Sequence, residues 1–202
     1  MTPDNRDTRR AEIEEAAYRL LSEKGYKATS MLAVARAAKA SNETLYNWYG
    51  NKQALFQAIV ARNAAEARAL LQDALEGQDS LEALLDRLGP LLLRLVTGER
   101  AVALNRAAAG DVHDTATLGP AIAAGGRAAL VPMLARLIAR AAPGVDADEA
   151  AEAYIDLLIG DLQVRRVIGT LPPLDDAQVT HRATRARHLL LRLIDLPHAR
   201  DP

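Results

Sequence analysis

The sequence predicts an all-α fold, with an N-terminal three-helix unit that contains a helix-turn-helix and a C-terminal helical bundle. Three observations predict it. Half of the 202 residues are apolar but only 3% are aromatic, so the core must come from the Ala, Leu, Val and Ile of packed helices. Apolar residues recur at three- and four-residue spacing through most of the chain. No stretch keeps a period-two alternation, so no sheet is expected.

The first helix is expected from a cap at Asp7 or Thr8 to about Lys24, with Ile13, Ala16, Ala17, Leu20 and Leu21 on one face and Gly25 ending it. A short second helix fits Ser30 to Ala38, entered through Thr29 and Ser30 and buried through Met31, Val34, Ala35 and Ala38. Lys39, Ala40 and Ser41 form a tight connection to a third helix, Asn42 to Tyr49, closed by Gly50 and Asn51. A long fourth helix, Lys52 to Leu75, carries Leu55, Phe56, Ile59, Val60, Ala67, Leu70 and Leu71 and is expected to be the only link between head and body. Further helices are expected at about 80–96, 99–109, 120–142, 147–168 and 176–195, with Pro90 and Pro132 kinking or splitting theirs. The domain division is therefore 1–51 and 52–202.

Composition narrows the chemistry. The absence of cysteine removes disulfides, thiolate metal sites and cysteine nucleophiles. Four scattered histidines make no metal pattern, and neither a metal nor a cofactor is expected. No uncharged apolar run approaches the roughly 18 residues that span a bilayer, and no apolar signal core follows the N-terminus, so a cytoplasmic location is expected. The net charge is −1, but it is divided: residues 1–63 carry ten basic and seven acidic side chains, residues 64–202 fifteen and nineteen. A basic head on an acidic body suits a small reader of phosphate-rich DNA.

Two short helices joined by a three-residue turn, with Ala35 and Ala38 where they approach, satisfy the geometry of a helix-turn-helix. The segment also resembles the TetR family in register, through Gly25-Tyr26, Thr29-Ser30-Met31, Val34-Ala35, Ala38, Ser41, Thr44-Leu45-Tyr46, Trp48-Tyr49, Lys52 and Leu55. The resemblance covers roughly residues 8–60. Three positions depart from the family pattern: Lys39 where Gly is usual, Ala40 where Val is usual and Tyr49 where Phe is usual. The resemblance implies a DNA-binding transcriptional regulator, a repressor relieved by a small-molecule effector. It further implies a palindromic operator read by a homodimer through a body that encloses a ligand pocket.

Within the head, Leu45 and Tyr49, at i and i+4, turn one face of the third helix inward and leave Asn42, Glu43, Tyr46 and Asn47 outside. Asn pairs with adenine and Glu accepts from cytosine, which makes Asn42, Glu43 and Asn47 the candidate base readers. Thr44, Tyr46 and Trp48 supply hydroxyl or ring N–H donors suited to phosphate, where the family places such residues. Ser30 offers a hydroxyl at a helix start, equally explained as a plain N-cap. Lys52 opens a helix against the macrodipole, a placement that an adjacent phosphate would relieve.

In the body, stripes on the helices near 147–168 (Ala150, Ala153, Tyr154, Leu157, Leu158, Ile168) and 176–195 (Val179, Ala183, Ala186, Leu190, Leu193, Ile194) suit a dimer face or an intrachain core alike. Ligand-binding residues are unknown from the sequence; Arg94, Asn105, Arg106, Arg127, Asp161 and Gln163 are polar interruptions in apolar helices. His113-Asp114 resembles half of a catalytic relay, but no nucleophile motif accompanies it, so no catalysis is expected. The alternatives are an all-helical enzyme and a protein–protein adaptor that reuses the helix-turn-helix.

Overall fold

The computed structural model describes residues 3–195, with side chains from Asn5 onward; the outermost residues of both expected domains, 1–2 and 196–202, lie outside the described residues. Among the described residues the chain is helical, with no strand. The helices are α1 (Pro3–Ala28), α2 (Met31–Ala37), α3 (Asn42–Tyr49), α4 (Lys52–Asn63), α5 (Ala65–Glu76), α6 (Leu81–Thr97), α7 (Glu99–Asp111), α8 (Leu118–Gly125), α9 (Arg127–Ala141), α10 (Ala147–Ile159), α11 (Leu162–Val167) and α12 (Asp176–Asp195).

The described residues pack as two units, those up to 63 with 99–126 and those of 64–98 with those from 127 onward. The first unit is built around Ile13, Ala17, Leu21, Leu45, Leu55 and Phe56, and draws in Leu104 of α7 and Leu118 of α8. The expected three-helix head therefore sits within a larger unit. The second unit has its own core of Leu, Ala and Ile from α5, α6, α9, α10 and α12.

Several expected boundaries move. Helix α1 begins at Pro3 rather than after Asp7, as suits a proline, whose fixed φ is preorganised for a first turn. Gly25 breaks it as expected, with φ 76°. The single fourth helix over Lys52–Leu75 is instead two, α4 and α5, divided at Asn63–Ala64; Asn side chains compete with the helix backbone, and Asn63 stands at the break. Nor is that helix the only link: the chain passes between the units at 63–64, 98–99 and 126–127.

Of the two outcomes expected at Pro90 and Pro132, a kink or a split, neither proline splits its helix. Pro90 lies inside α6 and Pro132 inside α9. An interior proline costs about 3 kcal/mol, whereas each buried leucine contributes about 1.5–3 kcal/mol, and α6 buries Leu84, Leu85, Leu88, Leu92 and Leu93. The split falls at Gly126 (φ −102°, ψ −110°), which separates α8 from α9. Residues Leu118–Ala141 have the length and mean hydropathy, 24 residues and 1.4, of a membrane-crossing segment, but this break divides them between the two units.

In the second unit α6 and α12 approach closely. A Cβ on Gly89 would lie 3.0 Å from both the Ala183 Cβ and the Tyr154 hydroxyl, so the glycine sets the approach. The apolar stripes on α10 and α12 are mostly spent here: Ala150, Tyr154, Leu158, Val179, Ala183, Ala186 and Leu190 are buried in this core. Leu157, Ile168 and Leu193 remain exposed, as does Val164.

Candidate nucleic-acid interface

The α2–α3 pair is positioned by caps at both starts. Ser30 caps α2, its Oγ accepting from the Ala33 amide at 3.1 Å, which leaves its own O–H free to donate. Thr29 turns inward, fully buried, and donates to the Gly25 carbonyl at 2.8 Å. Ser41 caps α3 by accepting from the Thr44 amide at 3.0 Å and shares a 2.8 Å hydroxyl contact with Thr44. Asn51, read from the sequence as closing α3, in fact starts α4, its Oδ1 accepting from the Ala54 amide at 2.8 Å.

The turn between α2 and α3 answers for the Lys39 departure. Lys39 takes φ 51°, in the left-handed region that glycine occupies at least cost. The strained turn is tied down from outside: the Arg9 guanidinium donates to the Ala38 and Lys39 carbonyls, each at 2.8 Å. Within it, the Ala40 amide donates to the Ala35 carbonyl at 2.9 Å.

Helix α3 is held by its inner face. Leu45 is fully buried. Tyr49 donates through its hydroxyl to Glu14 Oε1 at 3.1 Å, and the Arg62 guanidinium donates to Glu14 Oε2. Thus the hydroxyl that distinguishes Tyr49 from the usual Phe has a partner, a buried carboxylate on α1. Burial, with the Glu14 charge and bond added, pushes the Tyr49 pKa up against the pull of Arg10 and Arg62, which keeps the phenol protonated as donor.

The outer face carries two of the three expected base readers, Glu43 and Asn47. At about 100° per residue, Glu43 and Asn47 point opposite Leu45 and Tyr49, with Thr44 beside them. Glu43 and Asn47 are exposed, Thr44 half-buried. Tyr46, 49% exposed, and Trp48, half-buried, flank them on either side. Asn42 is exposed, but its helical angle puts it at the rim near Tyr49 rather than at the centre. Ser30 is exposed.

Lys52 has the strongest structural employment of the expected contacts. Its Nζ lies 3.8 Å from the Tyr26 ring centroid and donates to the Tyr26 carbonyl. Burial lowers its pKa, against the opposing charge of Asp111. Asp111 in turn is buried and organises the start of α8, accepting from Thr115 Oγ1 at 2.7 Å and the Thr117 amide at 3.0 Å. Burial raises its pKa and these donors lower it further, so that the net shift is downward. The Tyr26 hydroxyl meets Thr117 Oγ1 at 3.0 Å and Lys27 pairs with Asp114 at 2.9 Å, so the α7–α8 loop closes this side of the head.

A family model described as bacterial regulatory proteins, tetR family, matches residues 13–59. A second, the C-terminal domain of AefR-like transcriptional repressors, matches residues 83–193.

The chain belongs to the TetR family.

Among curated relatives, the HTH-type transcriptional regulator UidR of Escherichia coli K12 is 35% identical over 68 residues, 34% of this chain and 35% of its own. The match thus spans about a third of that relative's length. A TetR transcriptional regulator from Agrobacterium tumefaciens is 28% identical, with a TM-score of 0.71 over 96% of this chain and 95% of its own. The flavonoid-responsive regulator FrrA is 27% identical, with a TM-score of 0.65 over 93% and 97%.

Two residues of this TetR-family head escaped the sequence reading. Arg6 and Arg10 of α1 lie over the Trp48 ring, their Cζ atoms 5.6 and 6.0 Å from its centroid. Their i, i+4 spacing on the first helix was the only signal, and nothing in it points to α3.

The polar interruptions in the body largely find partners within the chain. Arg94 pairs with Asp176 at 2.7 Å, and Arg127 pairs with Glu152 and with Asp156. Asn105 donates back to the Ala101 carbonyl at 2.8 Å, and Gln163 to the Val96 carbonyl at 3.5 Å. Asp161 lies 3.9 Å from Arg165. Arg106 lines a cleft of about 350 Å³ between α1 and α7, together with Tyr18, Ser22 and Val102.

Proposed function

We propose that the chain is a DNA-binding transcriptional regulator, a repressor that reads a palindromic operator as a homodimer and is relieved by a small-molecule effector. The seating of α3 carries the reading: Leu45 and Tyr49 fix its inner face while Glu43, Asn47 and Tyr46 stand free for base edges and backbone. Ser30, Thr44, Trp48 and Lys52 supply the phosphate contacts, with Lys52 leaving the Tyr26 carbonyl to do so. Asn42, at the rim, reads an outer base.

Residues 1–51 form the reading domain in this proposal, and residues 52–202 the effector-binding and dimerisation domain. The exposed Leu157, Val164, Ile168 and Leu193 supply the apolar surface for pairing along α10 to α12. A two-fold dimer sets its reading helices about 34 Å apart, or a multiple of that. Repression is supported by the match to the AefR-like repressor domain, and effector control by likeness to a flavonoid-responsive regulator. The apolar body suits an uncharged or weakly charged organic effector. The protein works in the cytoplasm, without cofactor and without turnover of its own.

Footprinting of the purified chain on the DNA upstream of its own gene tests this. The expected result is protection of an inverted repeat by a species that sediments as a dimer. Binding no genomic fragment better than random DNA at moderate salt contradicts the reading. An effector found by screening must weaken operator binding by the same factor by which operator weakens the effector's binding.

A further inference from the structure

We infer that Arg6 and Arg10 form a second phosphate grip, built on the Trp48 indole and lying beside the reading helix; this rests on the DNA-binding function proposed above. Both guanidinium carbons lie over one indole, at 5.6 and 6.0 Å, and Arg10 lies 5.9 Å over the Tyr49 ring as well. An aromatic ring attracts a guanidinium while its planar fork of N–H donors remains suited to a phosphate. Arg6 is exposed, so its donors reach solvent.

Among the described residues no salt bridge compensates the pair's charge. Neighbouring Arg9 pairs with Glu12 and Arg62 with Glu14. Arg6 and Arg10 make no salt bridge among the described residues, and the Arg10 Nε is buried without a hydrogen-bond partner. Like charges at i, i+4 repel, so two arginines gathered on one ring carry an unfavourable term that an anion between them removes. Their position favours a DNA phosphate as that anion. Trp48 occupies the flank of α3 that faces α1, and Arg9, one residue from Arg10, is bonded to the α2–α3 turn. The stack therefore extends the backbone-facing side of the helix-turn-helix by a turn of α1, in a preformed geometry.

The test measures fluorescence anisotropy of two labelled duplexes, one of random sequence and one from upstream of the protein's own gene, across a salt titration. With the full chain, Arg6→Ala is expected to weaken both duplexes by the same factor, about three- to tenfold, and to reduce the salt slope by about 0.9 per head. Arg6→Lys keeps the charge and is expected to keep the slope. The single tryptophan, Trp48, gives a second readout: its emission is expected to change when the random duplex is added. If the wild type binds DNA while Arg6→Ala leaves affinity and slope unchanged, or lowers affinity without changing slope, the grip does not exist and the DNA-binding reading stands. If the wild type binds neither duplex, that reading itself falls and the grip with it.

Discussion

Each unit has its own apolar core, but the first also fixes its elements with directional polar bonds. In the first, each reading element is fixed by a directional polar bond: Tyr49 to Glu14, Arg9 to the α2–α3 turn, Tyr26 to Thr117 and Asp111 to the α8 start. In the second, α6, α9, α10 and α12 pack through Leu, Ala and Ile, with Gly89 setting the approach of α6 to α12. Hydrogen bonds fix an orientation, whereas apolar packing fixes mainly a volume. A reading helix needs orientation; a body needs a core.

That contrast is most severely tested by removing apolar volume beneath the reading helix. Leu45 is fully buried, so Leu45→Ala is expected to cost about 2–5 kcal/mol by chemical denaturation, with DNA binding lost in parallel. A cost below that range, with binding intact, would show that the polar bonds alone hold α3.

Adding volume to the other unit is expected to cost somewhat less. Gly89→Val places side-chain carbon where even a Cβ would be 3.0 Å from Ala183 and Tyr154, for about 1–3 kcal/mol. Limited proteolysis is expected to show residues 64–98 and 127–202 opening first.

Smaller still is Tyr49→Phe, which removes the bond to Glu14 and is expected to cost about 1 kcal/mol, while DNA affinity falls further than that loss of stability explains. An unchanged affinity would mean the bond does not orient α3.

The smallest effect has the opposite sign. Among the described residues the buried Tyr154 hydroxyl has no hydrogen-bond partner, and burial pushes its pKa up, with the charge of Asp86 adding to it and that of Arg187 opposing. Tyr154→Phe is expected to leave melting unchanged or to stabilise by up to about 1 kcal/mol. Marked destabilisation would reveal a polar partner for that hydroxyl.

Much of the head was legible because its signals are local. Ser30, Ser41 and Gly50 punctuate α2 and α3 within a residue of the expected bounds, and the i, i+4 pair Leu45 and Tyr49 gave the buried face. The body was legible as helices but not in its breaks. Tertiary packing carried α6 through Pro90, and the divisions fell at Asn63–Ala64, at Gly126 and at Gly160, where the single helix expected over 147–168 is instead α10 and α11. Partners far apart in sequence left no pattern to read. The Glu14–Arg62 pair and the Arg6–Trp48 stack join residues 48 and 42 positions apart; the rim position of Asn42, by contrast, already follows from the helical angle of the inward pair Leu45 and Tyr49.

In the proposed function the outer face of α3 reads sequence while its flanks hold the backbone. Its most direct test is the ratio of affinities for the upstream duplex and a random duplex, measured at one fixed salt for the wild type, Asn47→Ala and Tyr46→Phe. Asn47→Ala is expected to lower the ratio by relaxing preference at one base pair in each half-site, a loss of about 1–3 kcal/mol there, while random-duplex binding holds. Tyr46→Phe is expected to weaken both duplexes alike and leave the ratio intact. A ratio that Asn47→Ala leaves at the wild-type value, or that Tyr46→Phe lowers equally, would contradict it.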